Sequence, residues 1–242
     1  MNYYPFLITL ISGLCTLIGY LFIYIKKDQN KIIKSSLALA SGVMICISIT
    51  ELIPESINIL NKLYKKPYII EILSIIVGMI LPIILNKIVK EKRGLYRLGI
   101  LSAIAIIMHN IPEGIITYLS SINNKKLAAN IAFAIAMHNI PEGITIAIPA
   151  YFGTKNKYKT FKIVLISALS EPFGAILAHI FLKNLITDKI MGIIFLLVAG
   201  IMSYMSVIEL LPKALKYKEK KKTIVFFIIG IIVMYISVKI TK

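Results

Sequence analysis

Tryptophan is absent from this chain of 242 residues, cysteine occurs twice, histidine three times and acidic residues only 11 times. Without tryptophan, any aromatic belt at a membrane interface must be built from tyrosine, of which there are 13. Cys15 and Cys46 each sit inside an apolar block and form no CxxC, which excludes a disulfide framework. They read as small buried hydrophobes, and neither lies near the histidines that carry the argument below. Also missing are a low-complexity tail and any stretch with the composition of a separate soluble domain. The first apolar block, Pro5 to Ile25, follows no basic leader and shows no clear small-residue cleavage site. It is expected to be a retained span rather than a signal peptide.

What is present is apolar sequence in long blocks. Hydrophobic residues make up 58% of the chain and the mean hydropathy is +0.84, beyond the roughly half-apolar composition of soluble domains. A membrane-spanning helix needs about 20 mostly apolar residues. Eight blocks are expected to span, at about 4–25, 36–61, 68–89, 98–121, 127–151, 161–182, 190–212 and 223–241. They predict an all-α membrane protein, a multi-pass protein of the cell (plasma or inner) membrane, with a single transmembrane transporter domain over 1–242. The lipid bilayer is its surroundings.

The net charge of +17 raises nucleic-acid binding first. The basic residues, however, lie almost entirely between apolar blocks, where loops meet anionic headgroups, so no nucleic-acid partner is expected. Nineteen of the 28 lysines and arginines cluster around the loops after spans 1, 3, 5 and 7: Lys26, Lys27, Lys31 and Lys34; Lys87, Lys90, Lys92, Arg93 and Arg97; Lys155, Lys157, Lys159 and Lys162; and Lys213, Lys216, Lys218, Lys220, Lys221 and Lys222. The positive-inside rule puts those loops in the cytoplasm and both termini outside.

The few acids are in costly places. Glu51, Glu55, Glu113, Glu142, Glu171 and Glu209 fall inside or near the ends of spans, where an unpaired charge costs about 2.5–3.5 kcal/mol at the bilayer centre. No lysine or arginine occupies the same stretches, so a bound cation or a proton is expected to neutralise them. All three histidines, His109, His138 and His179, are also intramembrane. For His179 the simpler reading is an interhelical hydrogen bond.

His109 and His138 differ, because each opens the same segment. Residues 109–114 and 138–143 both read HNIPEG, in spans 4 and 5. On a helix, positions i and i+4 share a face, so His109 sits with Glu113 and His138 with Glu142. Asn110 and Asn139 each stand three residues before the glutamate. Pro112 and Pro141 free the carbonyls of Met108 and Met137 and kink the helix, while Gly114 and Gly143 allow close helix approach. Imidazole with carboxylate suits zinc, iron, manganese, cobalt, nickel or copper better than magnesium or calcium. Two histidines and two glutamates make four ligands, and Glu113 and Glu142 can bridge to a second ion held with Asn110, Asn139 and Glu171 of the run SEPFGA. A shorter repeat, ELIP from Glu51 and ELLP from Glu209, pairs spans 2 and 7. Spans 4 and 5 run in opposite directions, as do 2 and 7, so an inverted-repeat helix bundle is expected.

At these residues the chain resembles the ZIP (Zrt/Irt-like) family of divalent metal transporters, over nearly its whole length, and most of all the bacterial broad-specificity branch. The resemblance implies a binuclear intramembrane site. One ion would be held by His109, Glu113, His138 and Glu142, the other by Asn110, Glu113, Asn139, Glu142 and Glu171. It implies import into the cytoplasm by an elevator-like motion, and a homodimer. The loop between spans 3 and 4 is short and has no histidine, unlike the His-rich sensing loop of many eukaryotic relatives. The metal would be a substrate, zinc first, with iron, manganese, cobalt and cadmium as others, and no catalytic cofactor is expected. Glu51, Glu55, His179 and Glu209 are candidate pathway residues. Two rivals remain: a membrane metalloenzyme, disfavoured because the order is HNxPE rather than HExxH or ExxH, and a proton-coupled carrier of an organic solute.

Overall fold

In the computed structural model, residues 3–25, 28–88, 94–123, 125–181 and 187–241 are described; they form helices joined by short turns, with no strand among them. Lys26, Lys27, Lys90, Lys92 and Arg93, which enter the charge asymmetry above, lie outside the described residues. Eight rods follow one another: α1 (Tyr4–Tyr24), α2 (Gln29–Leu63), α3 (Tyr68–Ile88), α4 (Leu95–Asn123), α5 (Lys125–Thr154), α6 (Lys157–Phe181), α7 (Asp188–Leu215) and α8 (Lys220–Thr241). Among the described residues, seven of them, all but α5, are long and apolar enough to cross a membrane. At 30 residues α5 has the length as well, and it carries the second HNIPEG segment.

Several helices start earlier than the apolar blocks, for a local reason. The Asp28 carboxylate accepts the Asn30 N–H at 2.9 Å, capping α2 in the basic stretch before its apolar residues. The Asn156 side chain accepts the Lys159 N–H at 2.9 Å and starts α6 in the same way. α2 reaches 35 residues, about 52 Å at 1.5 Å per residue, so its ends project beyond a hydrocarbon core of about 30 Å.

The helices sort into two bundles. α1, α4, α5 and α6 pack most extensively on one another, and so do α2, α3, α7 and α8. Facing glycines bring the backbones together. A methyl group on Gly42 of α2 would strike the Phe227 carbonyl oxygen of α8, and one on Gly230 of α8 would strike that of Leu39. Gly78 of α3 and Gly200 of α7 meet the carbonyls of Leu197 and Ile75, and Gly114 of α4 and Gly174 of α6 meet those of Glu171 and Ile111. Gly19 of α1 lies against the Gly143 backbone of α5, whose own added carbon would strike the Thr16 carbonyl. In three of these pairs each glycine touches the carbonyl three residues before its partner. Exchanging α1 with α6, α2 with α7, α3 with α8 and α4 with α5 maps the four contacts onto one another, as the inverted-repeat expectation requires.

The ELxP repeat has a structural counterpart. Ser48–Leu52 in α2 and Met205–Leu210 in α7 are π-helical turns, each followed by a helix that opens with proline, Pro54 and Pro212. The matching sequence is longer than ELxP: Ser48 and Ser206 stand at the same position, giving SxxELxP twice. Ser41 and Ser206 tie the two rods reciprocally, the Ser41 hydroxyl donating to the Ser206 carbonyl at 3.0 Å and the Ser206 hydroxyl to the Ser41 carbonyl at 2.8 Å.

α3 and α8 lie at the periphery. Only 17% and 28% of their apolar windows are buried, against 72% for α2. Large side chains such as Ile69, Ile76, Ile232 and Ile236 stay exposed, as a lipid-facing surface requires.

Beside the turn from α7 to α8, Glu219 bridges two lysines, Lys222 at 2.5 Å and Lys34 at 2.9 Å. The hydrogen bond from Lys222, then that from Lys34, holds the Glu219 carboxyl down at about 2. A depressed carboxylate stabilises above its unfolded value of 4.5 and loses that stabilisation as pH falls through about 2. Hydrogen exchange over residues 216–222 should therefore rise between pH 4.5 and 2, and Glu219→Gln should show the fast exchange already at neutral pH.

Candidate metal centre

The middle of α4 and α5 carries the doubled segment, and both helices run through Pro112 and Pro141 without a break. His109, Asn110, Glu113, His138, Asn139 and Glu142 are all buried. Glu113 Oε1 lies 3.0 Å from His109 Nε2 on its own helix and 2.9 Å from His138 Nε2 across the interface. Glu142 Oε1 is 3.6 Å from His109 Nε2. Donor atoms of His109, Glu113 and His138 thus fall within 4.8 Å of one another. The i,i+4 pairing expected of His109 and Glu113 is present. His138, however, is hydrogen-bonded to Glu113 of the opposite helix, so the two segments interlock crosswise.

The cluster keeps several donor atoms available to a positive ion. His109 Nε2, Glu113 Oε2 and both carboxylate oxygens of Glu142 are buried without a hydrogen-bond partner. His109 Nε2 therefore faces two carboxylates closely, at 3.0 and 3.6 Å, without a well-aligned hydrogen bond to either. Buried polar atoms left in that state are costly. Donors at about 2.0–2.1 Å from a tetrahedral zinc stand about 3.3 Å apart, and the separations of 2.9–3.6 Å bracket that spacing. The residues fit a borderline divalent ion.

Glu171 of α6 adjoins this cluster and acts electrostatically on Glu113. It accepts hydrogen bonds from the Ser12 hydroxyl of α1 and, at 2.9 Å, from the Asn139 amide. The Asn139 amide also donates to the Ser12 carbonyl at 2.9 Å, and the Asn110 amide to the Ser167 carbonyl at 3.4 Å. Both amide nitrogens are thereby turned toward protein, and Asn110 Oδ1 and Asn139 Oδ1 are left unpaired, the orientation a second cation needs. Ser12 was not among the sequence candidates. Its signal was faint, a Ser-Gly pair in an apolar block, with Gly13 pressing on the Ala168 carbonyl.

The other candidates lie outside this cluster. His179 Nδ1 is 2.6 Å from the Tyr118 hydroxyl of α4, with Phe6 edge-on to its ring, which is the interhelical hydrogen bond expected of it. Glu51 stands on the π turn of α2 and acts electrostatically on His138. Glu55, one turn on, is exposed. For Glu209 the expectation that no lysine neutralises the intramembrane acids is corrected: Lys213, one turn further at the end of α7, reaches back to it at 2.5 Å. A flexible lysine just beyond an apolar block bends along the helix to its i−4 neighbour.

Helices that cross a membrane, with a cation-demanding histidine and carboxylate cluster in their midst, define a polytopic metal-handling membrane protein. The family model described as ZIP Zinc transporter matches residues 91–237. The chain belongs to the ZIP family, whose members are transporters and not enzymes, and it is a multi-pass protein of the cell membrane. It is 37% identical to a protein of Chlorobaculum parvum named Zinc transporter ZupT, over 97% of this chain and 96% of the relative. Proteins of the same name from Streptococcus mutans and Clostridium perfringens are 37% and 35% identical, each over 96% of this chain and 95% and 94% of the relative.

Proposed function

We propose that this protein imports divalent transition metal ions into the cytoplasm, zinc foremost, with iron, manganese, cobalt and cadmium as further substrates. The observation that carries this reading is the convergence of buried, unpaired nitrogen and oxygen lone pairs between α4 and α5. One ion is held by His109, Glu113, His138 and Glu142. A second is held by Asn110, Glu113, Asn139, Glu142 and Glu171, with Ser12 fixing the Glu171 carboxylate. Transfer from water into the site replaces hydration oxygens by imidazole and carboxylate, and release follows when the site opens inward. All of these ligands, and Ser12, belong to the α1, α4, α5, α6 bundle; α2, α3, α7 and α8 hold none of them. That division supports movement of one bundle carrying the ion past the other, within one transmembrane domain.

The test is uptake into liposomes with zinc, iron, manganese, cobalt and cadmium in competition, with and without a pH gradient. His109→Ala and Glu142→Ala are each expected to abolish uptake while leaving a monodisperse, helical protein. Undiminished uptake in both variants would sink the site assignment. Absence of bound metal in the purified wild type at saturating concentrations would favour the organic-solute reading instead.

A further inference from the structure

Where the two bundles meet near the ends of α1 and α2 there is a crevice of about 400 Å³. Its walls are apolar: Phe22 of α1 and Ile25 just beyond it, Ile32 and Leu39 of α2, Ile144 of α5 and Phe226 of α8. Its mouth is basic, formed by Lys31, Lys34 and Lys222 with Glu219. Three lysines against one glutamate leave the mouth with a net charge of +2. Lys34 is 3% exposed and its ammonium is fixed by Glu219 and, at 3.1 Å, by the Lys218 carbonyl. At the rim Lys31 and Lys222 are both exposed; Lys222 gives one ammonium N–H to Glu219 at 2.5 Å and keeps two for a ligand. The N-terminal ends of α2 and α8 open on the same mouth, and helix N-termini favour anions. Ser35 and Ser36 add hydroxyl donors just inside.

We propose that this crevice binds an anionic phospholipid, its phosphate at Lys31 and Lys222 and one acyl chain along the apolar wall between the bundles. The combination of chemistries selects the occupant. A soluble anion would use the lysines and leave the wall wetted, and a neutral lipid would fill the wall and leave the charge unmatched. An amphiphile with a phosphate head satisfies both, and basic pockets between transmembrane helices are the usual headgroup sites. Because the walls come from α1 and α5 on one side and α2 and α8 on the other, the occupant touches both bundles.

The test is native mass spectrometry of the full chain released from liposomes of phosphatidylglycerol with phosphatidylethanolamine, against phosphatidylethanolamine alone. A retained phosphatidylglycerol adduct is expected on the wild type. Lys31→Ala/Lys222→Ala should lower its fraction about tenfold or more, taking roughly a factor of five per lysine near an anionic surface. Leu39→Trp, which fills the wall and leaves every lysine, should lower it as well. Glycerol phosphate added in excess should not displace the lipid, since it lacks the chain. Equal adduct on the double variant and the wild type overturns the proposal, as does displacement by glycerol phosphate, which would make the site one for a soluble anion. Equal retention of phosphatidylethanolamine overturns it in favour of a neutral-lipid groove. Binding is read without transport, so its failure is distinct from failure of the metal-import reading.

Discussion

Glu113→Gln is expected to stop metal uptake and, at the same time, to remove the stabilisation that zinc gives the wild type. Glu113 Oε1 is the one oxygen within 3.0 Å of both imidazoles. Glutamine keeps the shape and an acceptor for His138 but removes the charge, and its amide can donate to the histidine lone pair that the ion would occupy. Loss of a mere outer partner of a ligand costs 10–100-fold in metal affinity, so loss of a charge shared by two ligands should cost at least about 100-fold. The ion's own contribution to stability gives a second readout. With zinc at 100 times its Kd the wild type should gain about 2.7 kcal/mol, and the variant no more than about 0.4 kcal/mol. Thermal unfolding with and without zinc, beside liposome uptake, checks both halves. A metal-induced shift of equal size in the two proteins would place the ion elsewhere.

Most of the site was legible because it is built from residues that lipid penalises. His109, Glu113, His138 and Glu142 stand out by cost alone, and the i,i+4 rule placed His109 against Glu113 correctly. Helical periodicity says nothing about which helix supplies a partner across an interface, so the crosswise bond from His138 to Glu113 was not foreseen. The eight rods followed from apolar block length, but their starts did not, because Asp28 and Asn156 cap helices inside polar stretches where hydropathy is silent. The glycine contacts show a deeper limit. Gly114 and Gly143 drew attention beside the ligands, whereas Gly42, Gly78, Gly200 and Gly230 are isolated in apolar runs and become pairs only when helices far apart in the chain are brought together. The π turns were half visible. ELxP marked both places, and extending the comparison three residues back to Ser48 and Ser206 would have strengthened the match, yet no propensity distinguishes an i→i+5 turn from an α-helix that continues.

Those glycine pairs separate stability from metal binding. In Gly114→Ala the new carbon would overlap the Glu171 carbonyl oxygen, with the carbonyl carbon at 2.8 Å; in Gly42→Ala it would overlap the Phe227 carbonyl oxygen, with the Ile231 nitrogen at 3.0 Å. Backbone cannot rotate away as a side chain would, so the helices must part, and overpacking of this kind costs about 1–3 kcal/mol. Both variants should therefore unfold at lower temperature. Of the two, the first pair adjoins the proposed metal site: Gly114 follows Glu113 directly, and the carbonyl it strikes belongs to Glu171. Parting α4 from α6 moves Glu113 away from the Glu171 carboxylate, the proposed completing ligand of the second site. Gly114→Ala should thus lower zinc affinity about tenfold per folded molecule, a loss of about 1.4 kcal/mol, measured by calorimetry on the monodisperse fraction. Gly42→Ala strains α2 against α8, which hold no ligand, and should leave that affinity within about a factor of two. Transport by Gly42→Ala should still fall under the proposed movement, because the bundle it distorts is the one the other would slide against. If Gly42→Ala weakens zinc binding as much as Gly114→Ala does, the two bundles are not energetically separate and the ion is not carried by one of them alone.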